Sequence, residues 1–280
     1  MASNRRILGE DGKVKIMRFS STRDSAAIAA PEGLIDPWLK CVSFWNYDQP
    51  IVILNYYATH PMSHYGKGDV SSDFVGIARE SRETQLGVPN IYFTGAAGNI
   101  AAGKYNDGSP ERRGILAERM EKAMRQAWEV SKKTPLSQSD LKWNNTEIQL
   151  PLAKHLEEDR LTAQLQDAHL DSLKKFTAAK QLAWLRRTGS GHNVNISSLK
   201  LGNVWLLNIP GEASIEYQLA AQKMVPGDHV CTAAYEEYGS GYICPEIAYS
   251  QGGYESSERA SFVAPEVEPV LLAAIAEVLK

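Results

Sequence analysis

Two acid–base side chains stand where a sheet would deliver them to a site. His60 follows the apolar run Ile51-Val52-Ile53-Leu54 in Tyr57-Ala58-Thr59-His60-Pro61, and Glu212 follows Val204-Trp205-Leu206-Leu207-Asn208-Ile209 in Pro210-Gly211-Glu212. The carboxyl ends of strands are where α/β proteins build their sites. Imidazole and carboxylate are donors that suit zinc. Each residue also has a plainer reading: His60 as a rim histidine bonded to a backbone carbonyl, Glu212 as a first-turn helix cap or dipole partner. A loop of small residues, Gly95 to Gly103, lets backbone N–H groups approach something closely, or simply packs tightly. A segment rich in Tyr and Gly holds Tyr238, Tyr242, Tyr249 and Tyr254.

The elements that must position these residues read as follows. Strands are expected over 13–20, 39–47, 51–57, 90–93 and 229–235, with 146–152 extended. A hairpin joins 194–201 to 204–209 around Gly202-Asn203. Helices are expected over 74–86, offered N-caps by Ser71-Ser72-Asp73 and closed by Gly87, and over 110–132, capped by Ser109 with Pro110 first. The apolar spacing of Ile115, Leu116, Met120, Ala123 and Trp128 gives the second of these one buried face. Others run from Glu212 through Met224 and from about Pro265. Residues 157–187 form a polar, strongly helical stretch, read as an amphipathic surface arm or hairpin. The fold class is therefore α/β: a mixed β-sheet flanked by helices, with a peripheral helical insertion around 157–187.

Composition narrows the function. The chain has 280 residues, 43% of them hydrophobic, and a net charge of −3. Its basic residues cluster only in pairs such as Lys132-Lys133 and Arg186-Arg187, so no nucleic-acid partner is indicated. Cys41, Cys231 and Cys244 form neither a disulfide framework nor a metal spacing and read as buried thiols. His155 and His169 read as surface or packing residues. No apolar stretch approaches the roughly 20 residues of a membrane span. The charged first twenty residues lack a signal-peptide core, so a soluble chain is expected. A Gly-x-Ser-x-Gly elbow is absent, and the small-residue loop lacks dinucleotide-binding spacing, which disfavours a serine hydrolase and an oxidoreductase. Alternation begins almost at once after Asn4-Arg5-Arg6-Ile7, as it would if the chain started within a larger domain.

Four segments in order resemble the neutral/alkaline, non-lysosomal ceramidase family: Tyr57-Ala58-Thr59-His60-Pro61 with Ser71-Ser72-Asp73, then Ala97-Gly98-Asn99, Ile209-Pro210-Gly211-Glu212, and Tyr242 to Glu255. The resemblance implies a single catalytic domain over 1–280 that lacks its N-terminal portion. It implies a catalytic zinc held by His60, Glu212 and Tyr242, and water activated against an amide. Tyr254 and Asn99 then count as catalytic residues, with Tyr254 steadying the tetrahedral state. The family's other zinc histidine lies upstream of the matched part; His64 is the candidate substitute, although Pro61 and nearby glycines spoil a helical pair. Where the family's small-residue loop carries a serine, this chain has Ala101. The resemblance thus implies a zinc-dependent hydrolase of a small-molecule or lipid-like amide or ester. A small-ester hydrolase and a non-catalytic, incomplete domain are the alternatives. An incomplete domain would expose a sheet edge that a homo-oligomer could cover. Members of that family are often secreted or membrane-associated, so localisation stays open.

Overall fold

The structure, a computed structural model, describes residues 1–280 apart from the side chain of Tyr238, which lies outside the described residues. Two mixed sheets form its frame. In the first, Lys40–Asn46 runs antiparallel to Gln49–Tyr57, and Asn90–Thr94 runs parallel to it. The parallel step is bridged by the helix Asp73–Leu86. In the second, the strand order is His229–Glu236, Val204–Pro210, Val194–Leu201, Leu141–Ile148. Val194–Leu201 and Val204–Pro210 make the expected hairpin. Val204–Pro210 and His229–Glu236 are parallel, bridged by the helix Ile215–Met224. Each sheet therefore contains one strand–helix–strand unit, and the segments carrying His60 and Glu212 each leave the first strand of such a unit at its carboxyl end.

Apolar packing between the sheets brings those two ends together. Tyr56, Cys231 and Ala233 are buried against Leu54, Phe93 and Leu206, and the Tyr56 and Phe93 rings stack at 4.9 Å. Behind each sheet lies a core. One gathers Trp205, Leu207, Ile209 and Tyr217 with the C-terminal helix Val267–Val278. The other packs Phe74 and Ile100 against the helix Pro110–Glu129. Full burial of each such side chain is worth about 1.5–3 kcal/mol.

Several expectations need adjustment. The buried stripe of Pro110–Glu129 is Leu116, Ala117, Met120 and Met124, whereas Trp128 stacks on Trp45 at 5.1 Å and Ile115 is exposed. Asp73 does not cap its helix in the usual way. It is the first helical residue with φ +50°, and its carboxylate accepts from the N–H groups of Ser63 and Phe74 and from the Ser63 hydroxyl. Residues 157–187 are helical as read, as Glu158–Gln166 and Ser172–Gly189, but they are not merely a surface arm. Leu161, Ala178, Leu182 and Trp184 belong to the larger core. The strand expected over 146–152 starts earlier, at Leu141, and forms the outer strand of its sheet, with Leu141 and Trp143 exposed. Cys231 and Cys244 are buried, with thiol pKa values pushed up to about 12 by burial, whereas Cys41 is half-buried. Among the described residues, no helix is long and apolar enough to cross a membrane.

Candidate active site

His60 is locked by one carbonyl. Its backbone N–H and its ring Nδ1 both approach the Ile100 oxygen, at 3.0 and 2.9 Å, so a non-local contact sets both main chain and ring. A carbonyl oxygen only accepts, so Nδ1 carries the proton and the neutral ring presents its lone pair at Nε2. That atom lies 3.0 Å from Glu212 Oε2 and 3.4 Å from the Tyr242 hydroxyl, in a place where His60 is only 5% exposed. A lone pair and a carboxylate at such a separation repel unless a cation lies between them. Either a second proton on the imidazole or a metal ion satisfies the pair. A backbone carbonyl that holds Nδ1–H fixes the ring's orientation and leaves Nε2 as the ligating nitrogen, as it does in metal-binding imidazoles.

Glu212 reaches this point because the chain there is pinned from three sides. Glu212-Ala213 forms a short strand parallel to Tyr242-Ile243, which puts Glu212 and Tyr242 in register. Here the first-turn reading is corrected: Glu212 lies in this strand, and the helix begins at Ile215. Gly211 makes the entry with φ +60°, and a Cβ there would stand 2.7 Å from the Gly241 carbonyl. From the other side the Gly98 N–H donates to the Ala213 carbonyl at 2.9 Å. A Cβ on Gly98 would meet the Glu212 carbonyl at 2.3 Å, so the small-residue loop is small because it abuts the strand bearing Glu212.

Among the described residues, Tyr235, Tyr242 and Tyr254 surround the pair. Tyr242 lies parallel to the His60 ring, Tyr235 meets that ring edge-on, and Tyr254 meets Tyr242 edge-on at 5.6 Å. Burial raises the pKa of all three phenols; at Tyr242 Arg5 opposes the rise and Glu212 adds to it. At neutral pH they are hydrogen-bond donors, and ionising one requires a nearby cation.

The site contains a buried ion pair that sequence reasoning missed. Arg5 is 4% exposed and Glu255 0%. Arg5 Nε stands 3.0 Å from Glu255 Oε1, close as an ion pair but not aligned as a hydrogen bond. Its Nη1 donates to the Tyr242 hydroxyl at 3.2 Å, and its guanidinium lies over the rings of Phe19, Tyr242 and Tyr254 at 5.0–5.7 Å. Burial works against the charge, but Glu255 and then Tyr242 more than offset it, and the Arg5 pKa is raised. Arg6 supports Glu255 from the other oxygen at 3.4 Å. Nothing in spacing announces a partnership between residues 5 and 255; the only sign was the unexplained Asn4-Arg5-Arg6 run.

The other expected site residues sit elsewhere. The Asn99 side chain accepts from the Ile215 N–H and donates to Glu216 Oε2, both at 2.9 Å, so it anchors the start of the helix after Glu212. It does not line the cavity described below. The His64 ring has a buried Nδ1 without a hydrogen-bond partner, and among the described residues no hydrogen bond or ion pair joins it to His60 or Tyr242. Also among them, no three His, Cys, Asp or Glu side chains converge as a metal-binding group. His60 and Glu212 with the Tyr242 hydroxyl form instead a set of one nitrogen and two oxygen donors. A cavity of about 270 Å³ opens onto Glu212, Tyr242 and Tyr254, and its apolar wall is Trp184 and Phe262.

No protein-family model matches the chain, and neither does any curated protein. Solved structures do. Neutral ceramidase from Pseudomonas aeruginosa superposes with a TM-score of 0.66 at 16% identity, over 99% of this chain and 49% of its own. A ceramidase complexed with C2 gives a TM-score of 0.64 at 13% identity, over 99% and 51%. The chain thus has a neutral-ceramidase-like fold and spans about half the length of the ceramidases it matches.

Proposed function

We propose that the chain is a hydrolase of an amide or ester bond in a small-molecule or lipid-like substrate, with zinc held by His60, Glu212 and Tyr242. The observation that carries this reading is the His60 Nε2–Glu212 Oε2 separation of 3.0 Å beside the Tyr242 hydroxyl, at the end of a cavity. The donor set fits the metal: imidazole nitrogen and carboxylate oxygen are zinc ligands, and the two stand close enough for one metal ion to take the place of a shared proton. When bound, zinc supplies a Lewis acid that lowers the pKa of water to about 7.

The protein's own groups do the rest. Hydrolysis adds water oxygen to the carbonyl carbon, breaks the C–N or C–O bond, and passes the water's proton to the leaving nitrogen or oxygen. Tyr254, whose phenol burial keeps protonated, donates a hydrogen bond to the carbonyl oxygen as it gains charge. Arg5 orients Tyr242 through its hydroxyl, and Glu255 holds Arg5. Trp184 and Phe262 exclude water from one side of the substrate. The ester form of the reading is favoured by Ala101, fully buried and paired with Ser3, because an ester needs less help at the leaving group.

Release of acid from aryl acetate esters and aryl acetamides tests the reading. Tyr254→Phe should lower kcat about 10²–10³-fold, as removal of one oxyanion donor does. Glu212→Gln should abolish turnover with the circular-dichroism spectrum unchanged. Full activity in a folded Glu212→Gln protein would remove the reading.

A further inference from the structure

The cavity has a second chemical character besides its apolar wall. Lys180, Arg187 and Arg259 all line it. Arg187 is already committed: it pairs with Glu237 at 2.8 Å, and Glu237 also holds His192 at 2.8 Å. Lys180 and Arg259 are different. Among the described residues, neither side chain forms an ion pair or a hydrogen bond. The Lys180 ammonium lies between two rings, 5.4 Å from the centre of the exposed Phe176 and 5.8 Å from that of Phe262, the cavity's own aromatic wall. Two cations without an ion-pair partner thus line an apolar slot that also exposes Glu212, Tyr242 and Tyr254.

Resting on the hydrolase reading, we propose that the substrate is an anionic acyl compound. Its carboxylate or equivalent negative group is held by Lys180 and Arg259, and its scissile carbonyl lies toward Tyr254. A neutral substrate leaves both cations to water alone, whereas an anion joins them and lays its body along Trp184 and Phe262. Because both side chains reach solvent, their attraction is screened and the preference depends on salt.

Calorimetric titration with 4-acetamidobenzoate and the similarly sized, neutral 4-acetamidobenzamide decides the matter. The carboxylate should bind at least about fivefold more tightly at low salt, the scale that two exposed charge contacts supply. That advantage should shrink as salt is added and disappear in the Lys180→Ala/Arg259→Ala protein, with the melting temperature unchanged. Equal or tighter binding of the neutral compound, binding of neither, or an advantage that survives in the double variant would overturn the proposal. Release of the aromatic amine, followed in the same samples, keeps the two readings separate. A carboxylate preference without amine release would leave the anionic site standing and count against the hydrolase.

Discussion

Replacing Arg5 by Met isolates the buried support of the site. The change keeps an unbranched apolar stem and removes a guanidinium that touches Glu255, the Tyr242 hydroxyl and the Gly98 carbonyl and lies over three aromatic rings. Glu255, fully buried, then faces its pocket with only Arg6, at 3.4 Å. Breaking a buried pair from one side costs about 3–5 kcal/mol, because a charge is left uncompensated. Arg6 retains part of that compensation, so the lower end, about 3 kcal/mol, is the expected loss. Urea unfolding followed by circular dichroism reads it directly. Two companion variants separate causes. Adding Glu255→Gln to Arg5→Met removes the stranded charge, and the double variant should be more stable than Arg5→Met alone. Arg5→Lys keeps the charge without the planar fork, so it should recover part of the stability while leaving Tyr242 unoriented and turnover low. A loss below about 1 kcal/mol in Arg5→Met, in the range of an exposed pair, would refute the reasoning.

Other consequences follow from the same geometry. Gly98→Ala places a methyl where the Glu212 carbonyl already lies 2.3 Å away and strains the hydrogen bond to Ala213. The expected cost is about 2–3 kcal/mol in urea unfolding, with activity lost out of proportion because the strand bearing Glu212 must move. Burial raises the Glu216 carboxyl pKa above its usual 4.5, against the pull of Asn99. A raised carboxyl binds its proton more readily folded than unfolded, so its contribution is greatest below pH 4.5 and is lost as pH rises through the folded value. Glu216→Gln keeps an oxygen for Asn99. Relative to wild type it should therefore gain urea stability between pH 4.5 and 7; a constant difference across that range would contradict the burial effect.

Much of this arrangement was legible in the chain itself. His60 and Glu212 each follow a mainly apolar run that reads as a strand, and strand ends are where they are found. Their meeting was not legible, since it depends on Tyr56, Cys231 and Ala233 joining two sheets through contacts without sequence period. The Arg5–Glu255 pair was missed because charged residues ordinarily read as surface, and only tertiary structure reveals that they bury each other. Ser172–Gly189 presents Lys174, Lys175, Lys180, Arg186 and Arg187, so it read as a solvated face. Its Trp184 and Leu182 nonetheless enter the core, and Lys180 and Arg187 line the cavity. Asn99 was recognised by its loop, but its amide is engaged at the start of the next helix by a partner 116 residues away.

The central claim is that His60, Glu212 and Tyr242 hold a metal ion, and elemental mass spectrometry of the purified chain beside His60→Ala tests it most directly. Near-stoichiometric zinc in the wild-type protein and none in the variant is the expected result. Absence of metal from both, even after zinc is added and excess removed, would contradict it.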